Sequence, residues 1–181
     1  MQIQITANLD NHLMAFGHDL NNKEQFIDNL MDSNEDTAFH LIDGSLGESG
    51  FNIVGPTMAR IMKDVHNLLA YLHRIIMKRY RRMETSSHLA NNGRTIVTNE
   101  HPIILIINDI DVLSKSLNKD DIDLLGSLAR LGLNAGLTIV STSTSHKVGL
   151  NPEILTNLEC SVNNLDYDKS LDLYDHSFLD D

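Results

Sequence analysis

The sequence predicts an α/β fold: a mainly parallel sheet with helices on both faces. Three observations carry that prediction. Short apolar or alternating runs recur between longer segments with three-and-four apolar spacing, the pattern of βαβ units. One run, Ile103–Ile107, is uninterrupted, as in a central parallel strand buried on both sides. A chain of 181 residues with 41% apolar content suffices for one domain with a substantial core.

The elements are read in chain order. "QIQIT" (Gln2–Thr6) alternates as a half-buried strand does, and "HLMAFG" is a second, more buried strand ending at Gly17. Residues Lys23–Met31 place Phe26, Ile27, Leu30 and Met31 on one helical face. "TAFHLID" (Thr37–Asp43) reads as a third strand, followed by the Gly/Ser-rich loop "GSLGESG". The strongest helical periodicity runs from Thr57 to Met83, with Pro56 at its start. Its Met-rich stripe is expected to face the core, and its basic cluster "KRYRR" (Lys78–Arg82) to be a solvated end.

Residues 84–101 read as a long polar surface loop. After the strand "PIILIINDID", "DDIDLLGSLARLG" is a helix with Asp120 as its expected cap and Gly132 as its stop. "GLTIVSTSTS" is a buried strand and "CSVNNL" (Cys160–Leu165) a final one. Residues 1–165 thus form the domain, and 166–181 an acidic tail expected to be partly ordered at best.

Composition excludes several functions. With net charge −11 and only 14 Lys and Arg, the chain is a poor nucleic-acid partner, since phosphates must be neutralised by cations. Its longest apolar run falls far short of the roughly 20 residues of a membrane helix, so no direct membrane contact is expected. "MQIQITANLD" lacks the basic and apolar blocks of a signal peptide. A single cysteine, Cys160, gives no intrachain disulfide framework. His66 and His73 lie about 10 Å apart along a helix, too far to share an ion, and no His/Cys group has ligand spacing. No metal is expected.

Three fragments could carry chemistry. The first is Gly17-His18-Asp19-Leu20-Asn21-Asn22-Lys23-Glu24, which follows the frame of a phosphate-binding loop, Gly-x-x-x-x-Gly-Lys-Ser/Thr. Such a loop curls backbone N–H groups around phosphates, reaches their oxygens with its lysine and holds Mg²⁺ with its hydroxyl. Gly17 and Lys23 fit; Asn22 stands for the second glycine, tolerable because Asn visits positive φ; Glu24 stands for the hydroxyl, and Asp19 adds a second carboxylate. The second fragment ends the apolar strand at Asn108-Asp109, where a nucleotide hydrolase carries a metal-binding acid and a catalytic glutamate. The third is Ser141-Thr142-Ser143, hydroxyls at a strand end where a γ-phosphate sensor could sit, or where they simply satisfy backbone.

Taken in order, these fragments resemble the FtsK/SpoIIIE-like translocases, which have the RecA-like P-loop NTPase fold. "MKRYRRM" echoes that family's basic-aromatic helix end, Asn108–Leu113 its Asp-Glu-Leu-Ala-Asp-Leu segment, and Gly132-Leu133-Asn134-Ala135-Gly136 its Gly-Arg-Ala-Ala-Gly turn. The resemblance covers approximately Gln4 to Leu165. Measured against the family, the Mg²⁺ hydroxyl is Glu24, the metal acid Asn108, the catalytic glutamate Asp109, the turn arginine Leu133 and the sensor glutamine Ser143. Phosphoryl transfer depends almost wholly on positioning and charge neutralisation, so the resemblance implies a catalytically degenerate module with no catalytic residue.

The chain is most similar to the degenerate C-terminal ATPase modules of the EssC/EccC family of type VII secretion coupling proteins. That likeness implies substrate recognition or regulation at the cytoplasmic side of a membrane. The implied partners are WXG100-type secreted proteins or their C-terminal signals, and neighbouring ATPase domains of the same chain. No cofactor is expected, with Mg-ATP belonging to the alternative of an ATP-sensing or weakly hydrolysing motor domain. A remote alternative is a haloacid-dehalogenase-type phosphatase using Asp109 and Asp111, with Lys147 as its following lysine.

Overall fold

The computed structural model describes residues 11–48, 50–53, 57–86, 100–158 and 162–165. The expected strand Gln2–Thr6, most of the expected loop 84–101, Cys160 and the acidic tail lie outside them. The elements are β1 (Leu13–Phe16), α1 (Leu20–Asp32), β2 (Ala38–Asp43), β3 (Thr57–Ala59), α2 (Met62–Ser86), β4 (Ile103–Asn108), α3 (Ile110–Leu113), α4 (Lys119–Leu131), β5 (Leu137–Ser143), α5 (Pro152–Leu158) and β6 (Val162–Asn164). A 3-10 turn, Leu133–Ala135, leads into β5.

The strands form one six-stranded sheet in the order β3-β2-β4-β5-β1-β6, every pair parallel. β4 is central and all six of its residues are buried. Its side chains alternate between two cores. Ile103, Leu105 and Ile107 join Val65, Leu69 and Leu72 of α2, Leu125 and Leu128 of α4, and Ile154 and Leu158 of α5. Ile104 and Ile106 join Phe26, Ile27 and Leu30 of α1, with Phe51 and Ile53. The sheet is thus covered on both faces, as its β-branched runs require.

The long helix differs from its expected span. Residues 57–59 pair with β2 as edge strand β3 and the helix starts at Met62; Pro56, its expected start, lies outside the described residues. Ile61 is 55% exposed, and Met58 packs on the α1 side of the sheet. From Met62 on, the Met and Leu stripe faces the core as expected. The basic cluster is a second correction. Lys78, Arg81 and Arg82 are exposed, but Arg79 is buried and donates to the carbonyls of Ala135 (2.8 Å) and His101 (2.8 Å). Burial lowers its pKa, with Glu100 beside it opposing that shift.

The cap of α4 is Asn118, not Asp120. Its side chain accepts from Asp121 N–H, and Asp121 reaches back to the Asn118 N–H in a capping box. Asp121 also meets His66 Nδ1 at 2.7 Å, tying α4 to α2. Gly132 ends the helix as expected, because a Cβ there would overlap the Leu128 and Leu137 carbonyls. His12 is buried between β1, α4 and β5. It donates from Nε2 to the Ala129 carbonyl and accepts the Ile139 N–H at Nδ1, both at 2.9 Å.

Candidate functional site

In open parallel sheets, ligands bind at the carboxyl ends of strands where adjacent connections leave to opposite faces. Here that point lies between β1 and β5. α1, after β1, packs on one face, and α5, after β5, on the other. The strand ends are joined by Gly17 N–H donating to the Ser143 carbonyl at 3.0 Å.

α1 begins three residues before Lys23. Asp19 is its N-cap in an extended conformation, and its carboxylate accepts from the N–H groups of Asn21 (2.7 Å) and Asn22 (3.4 Å). Aspartate suits this position because it satisfies donors that helix ends leave open. Asn22 is therefore helical. Positive φ, expected there, is found among the described non-glycine residues only at Leu46 and Asp109. The Asn22 side chain instead donates to the Leu165 carbonyl at 3.4 Å.

The first turn of α1 sends Lys23 inward, where only 2% of it is exposed and Nζ pairs directly with Asp109 Oδ1. Asp109, 6% exposed, occupies the left-handed region (φ 53°, ψ 55°) and opens α3 with its carbonyl. Its N–H donates to Thr142 Oγ1 (3.1 Å), which donates to Asn108 Oδ1 (2.7 Å), and Asn108 Nδ2 donates to Asp109 Oδ2 (3.1 Å). This ring of hydrogen bonds is buried, and Lys23 closes it with charge. Gly44 lies against it, donating to the Asn108 carbonyl at 2.8 Å. A Cβ at Gly44 would overlap the carbonyl oxygens of Asn108 and Asp109.

Lys23, Asn108, Asp109 and Thr142 are thus brought together, with Gly17 alongside through its backbone. Other expected members are placed elsewhere. Glu24 accepts from Asn52 N–H at 3.0 Å. Ser141 donates to the Leu13 carbonyl (3.4 Å) and Ser143 to that of Ser145 (2.6 Å). Leu133 lies in the 3-10 turn before β5, at the opposite rim of the sheet. Asp111 accepts from the N–H (3.2 Å) and Oγ1 (2.9 Å) of Thr144, so it does not converge with Asp109 on one phosphate as a dehalogenase-type pair would.

One buried acid escapes the sequence motifs. Asp43, in register with Asn108, accepts from Ser45 N–H (3.1 Å), Ser45 Oγ (2.6 Å) and Gly47 N–H (2.8 Å). Its signal is the "DGS" triplet, since Asp ahead of such residues readily forms an Asx turn.

No family model and no curated protein matches the sequence. Solved structures do match the fold. The pCW3 conjugation coupling protein TcpA, solved as a monomer with ATPγS, superposes with a TM-score of 0.66 at 16% identity over 83% of this chain and 48% of its own. The cytoplasmic domain of EssC gives 0.63 at 15% identity over 86% and 32%. ATPases 2 and 3 of EssC from Geobacillus thermodenitrificans give 0.58 at 15% over 94% and 35%. The chain therefore spans about half of the TcpA chain and about a third of the EssC chains. At such identities the likeness is one of fold: an α/β, RecA-like P-loop ATPase fold of the kind found in EssC, EccC and TcpA.

Proposed function

We propose that this chain is a catalytically degenerate FtsK-like module of a type VII secretion coupling protein, serving substrate recognition or regulation rather than ATP hydrolysis. The observation that carries it is the internal satisfaction of the pocket. Asp19 takes the α1 N–H groups that phosphates would need, and Asp109 takes Lys23. Glu24 is turned to the Asn52 N–H and would add negative charge beside a triphosphate, and the Asn108 amide, uncharged, is bound to Asp109 and Thr142, so the residues present fit Mg-triphosphate poorly.

Titration with Mg-ATP and a phosphate-release assay test this. Neither sub-millimolar binding nor turnover is expected. Turnover that disappears in Lys23→Ala overturns the proposal. Binding without turnover instead supports the second reading, a nucleotide-sensing module, which the retained Gly17 and Lys23 favour.

The partner assignment rests on the company of the fold. ATPases 2 and 3 of EccC from Thermomonospora curvata were solved in complex with a signal sequence peptide, and match this chain at TM-score 0.51 and 17% identity. By that analogy the partners are WXG100-type proteins or their C-terminal signals and adjacent ATPase domains, met at the cytoplasmic side of a membrane. Among the described residues no helix is long and apolar enough to cross one. A pull-down with such substrates and their tails is expected to retain them; no retention at high concentration counts against this assignment.

A further inference from the structure

Among the described residues one buried side-chain nitrogen or oxygen has no hydrogen-bond partner, the Nε of Arg79. Native folds leave few such atoms, and a site for an ion is one reason they do. Arg79 lies near the C-terminal end of α2, at the amino rim of the sheet, with 8% of it exposed. Its Nη1 donates to the carbonyls of Ala135 (2.8 Å) and Gly136 (3.4 Å), and its Nη2 to that of His101 (2.8 Å). The Nε–H is left over from this clamp. Glu100 Oε2 comes to 3.7 Å from it, beyond hydrogen-bond reach, while Glu100 Oε1 bonds to Arg82 Nη1.

Two guanidinium groups thus face a carboxylate that bonds only one of them. Burial lowers the Arg79 pKa; Glu100 opposes that shift, and Arg82, three residues on, adds to it. A neutral water could bond the Arg79 Nε, but it would leave the two cations in mutual repulsion. A tetrahedral oxyanion offers more oxygens and more charge than one carboxylate, and arginine is the side chain best matched to such groups. Its way in is open, because the side chains of Glu100 and Arg82 are 33% and 57% exposed. Arg79 is then the floor of the site, Arg82 its outer wall and Glu100 a displaceable stopper.

We propose that this corner of the amino rim binds a tetrahedral oxyanion of the phosphate class, which displaces the Glu100 carboxylate and bonds both Arg79 Nε and Arg82. Glu100 is a built-in competitor: it covers the arginines when the anion is scarce and turns to solvent when the anion is bound. The site lies at the opposite rim from Lys23 and Asp109 and does not depend on what they bind. The net charge of −11 opposes approach of an anion, but at about 0.1 M salt that field is screened beyond about 10 Å.

Isothermal titration of the full chain with sodium phosphate, against sodium chloride at matched ionic strength, tests the site. Saturable binding to wild type is expected, with a melting temperature that rises with phosphate, as for any ligand of the folded state alone. Glu100→Gln removes the competing charge and should tighten binding about tenfold, and Arg82→Gln should weaken it about tenfold. Should Arg82→Gln impair folding, judged by circular dichroism, Arg82→Lys replaces it, keeping the charge without the fork and weakening binding severalfold. A parallel titration with glycerol 3-phosphate identifies the source: equal binding assigns the site to a phosphate carried on a larger molecule, and binding of inorganic phosphate alone assigns it to the free ion. No saturable binding of either probe to wild type overturns the proposal. So does binding that neither the Glu100 nor the Arg82 variant alters.

Discussion

Each rim of the sheet buries a cation, and the two are held in opposite ways. At the carboxyl rim, Lys23 is neutralised by one carboxylate, Asp109, inside a ring of side chains supplied by three elements. At the amino rim, Arg79 is held by main-chain carbonyls, with Glu100 Oε2 at 3.7 Å from its Nε. A carbonyl clamp serves the fold alone, because any sequence presents those oxygens. A side-chain pair depends on both residue identities, and it can be exchanged for another pair. The contrast separates a contact that any sequence supplies from one that depends on two particular residues.

The sharpest way to break the contrast is at the Lys23–Asp109 pair. Lys23→Met leaves a buried carboxylate without its cation and should cost about 3–5 kcal/mol in urea unfolding. Adding Asp109→Asn, a residue that tolerates the left-handed region, should recover most of it. A double variant no better than the single one would show that the pair is not exchangeable. Arg79→Met should cost about 2–3 kcal/mol, since it removes charged hydrogen bonds to carbonyls, and no neutral partner change should rescue it.

Helix caps sharpen the comparison at lower cost. Asp19→Ala and Asn118→Ala should each cost about 1 kcal/mol in thermal unfolding, as ordinary N-caps do. If Asp19 also stands in for phosphate, only its variant should gain more stability than wild type on adding inorganic phosphate. His12 gives a pH signature. Burial lowers its pKa, so the fold holds it neutral where the unfolded chain protonates it. The unfolded state then binds more protons, and stability should fall as pH drops below the ordinary value of 6.5. His12→Gln should flatten that fall relative to wild type; an unchanged slope would remove His12 as its source.

What can be read in advance follows from the physics of each signal. Ile103–Ile107 announces β4 because burial on both faces demands an unbroken apolar run. Lys23 and Asp109 can be named from loop and strand frames, but not their direct pairing, which depends on a contact across 86 positions. The motif frame misplaces Asn22 because it outweighs a local signal, Asp19, which starts the helix earlier. Arg79 escapes because periodicity shows which face a residue takes, not whether carbonyls wait there. β3 merges with the helix because three residues carry too little alternation to be separated from it.

The placement of β1 has a consequence for how the chain reaches this structure. β1 pairs with β5 and β6 alone, in a register that sets Leu13 opposite Val140 and Met14 opposite Val162. Its loop-closure entropy falls due only after most of the chain has been organised. Contacts of such long separation slow folding. On the ribosome, β1 is therefore without its sheet partners until β5 has emerged. Lys23, on the helix that follows β1, can close on Asp109 only once β1 has docked on β5.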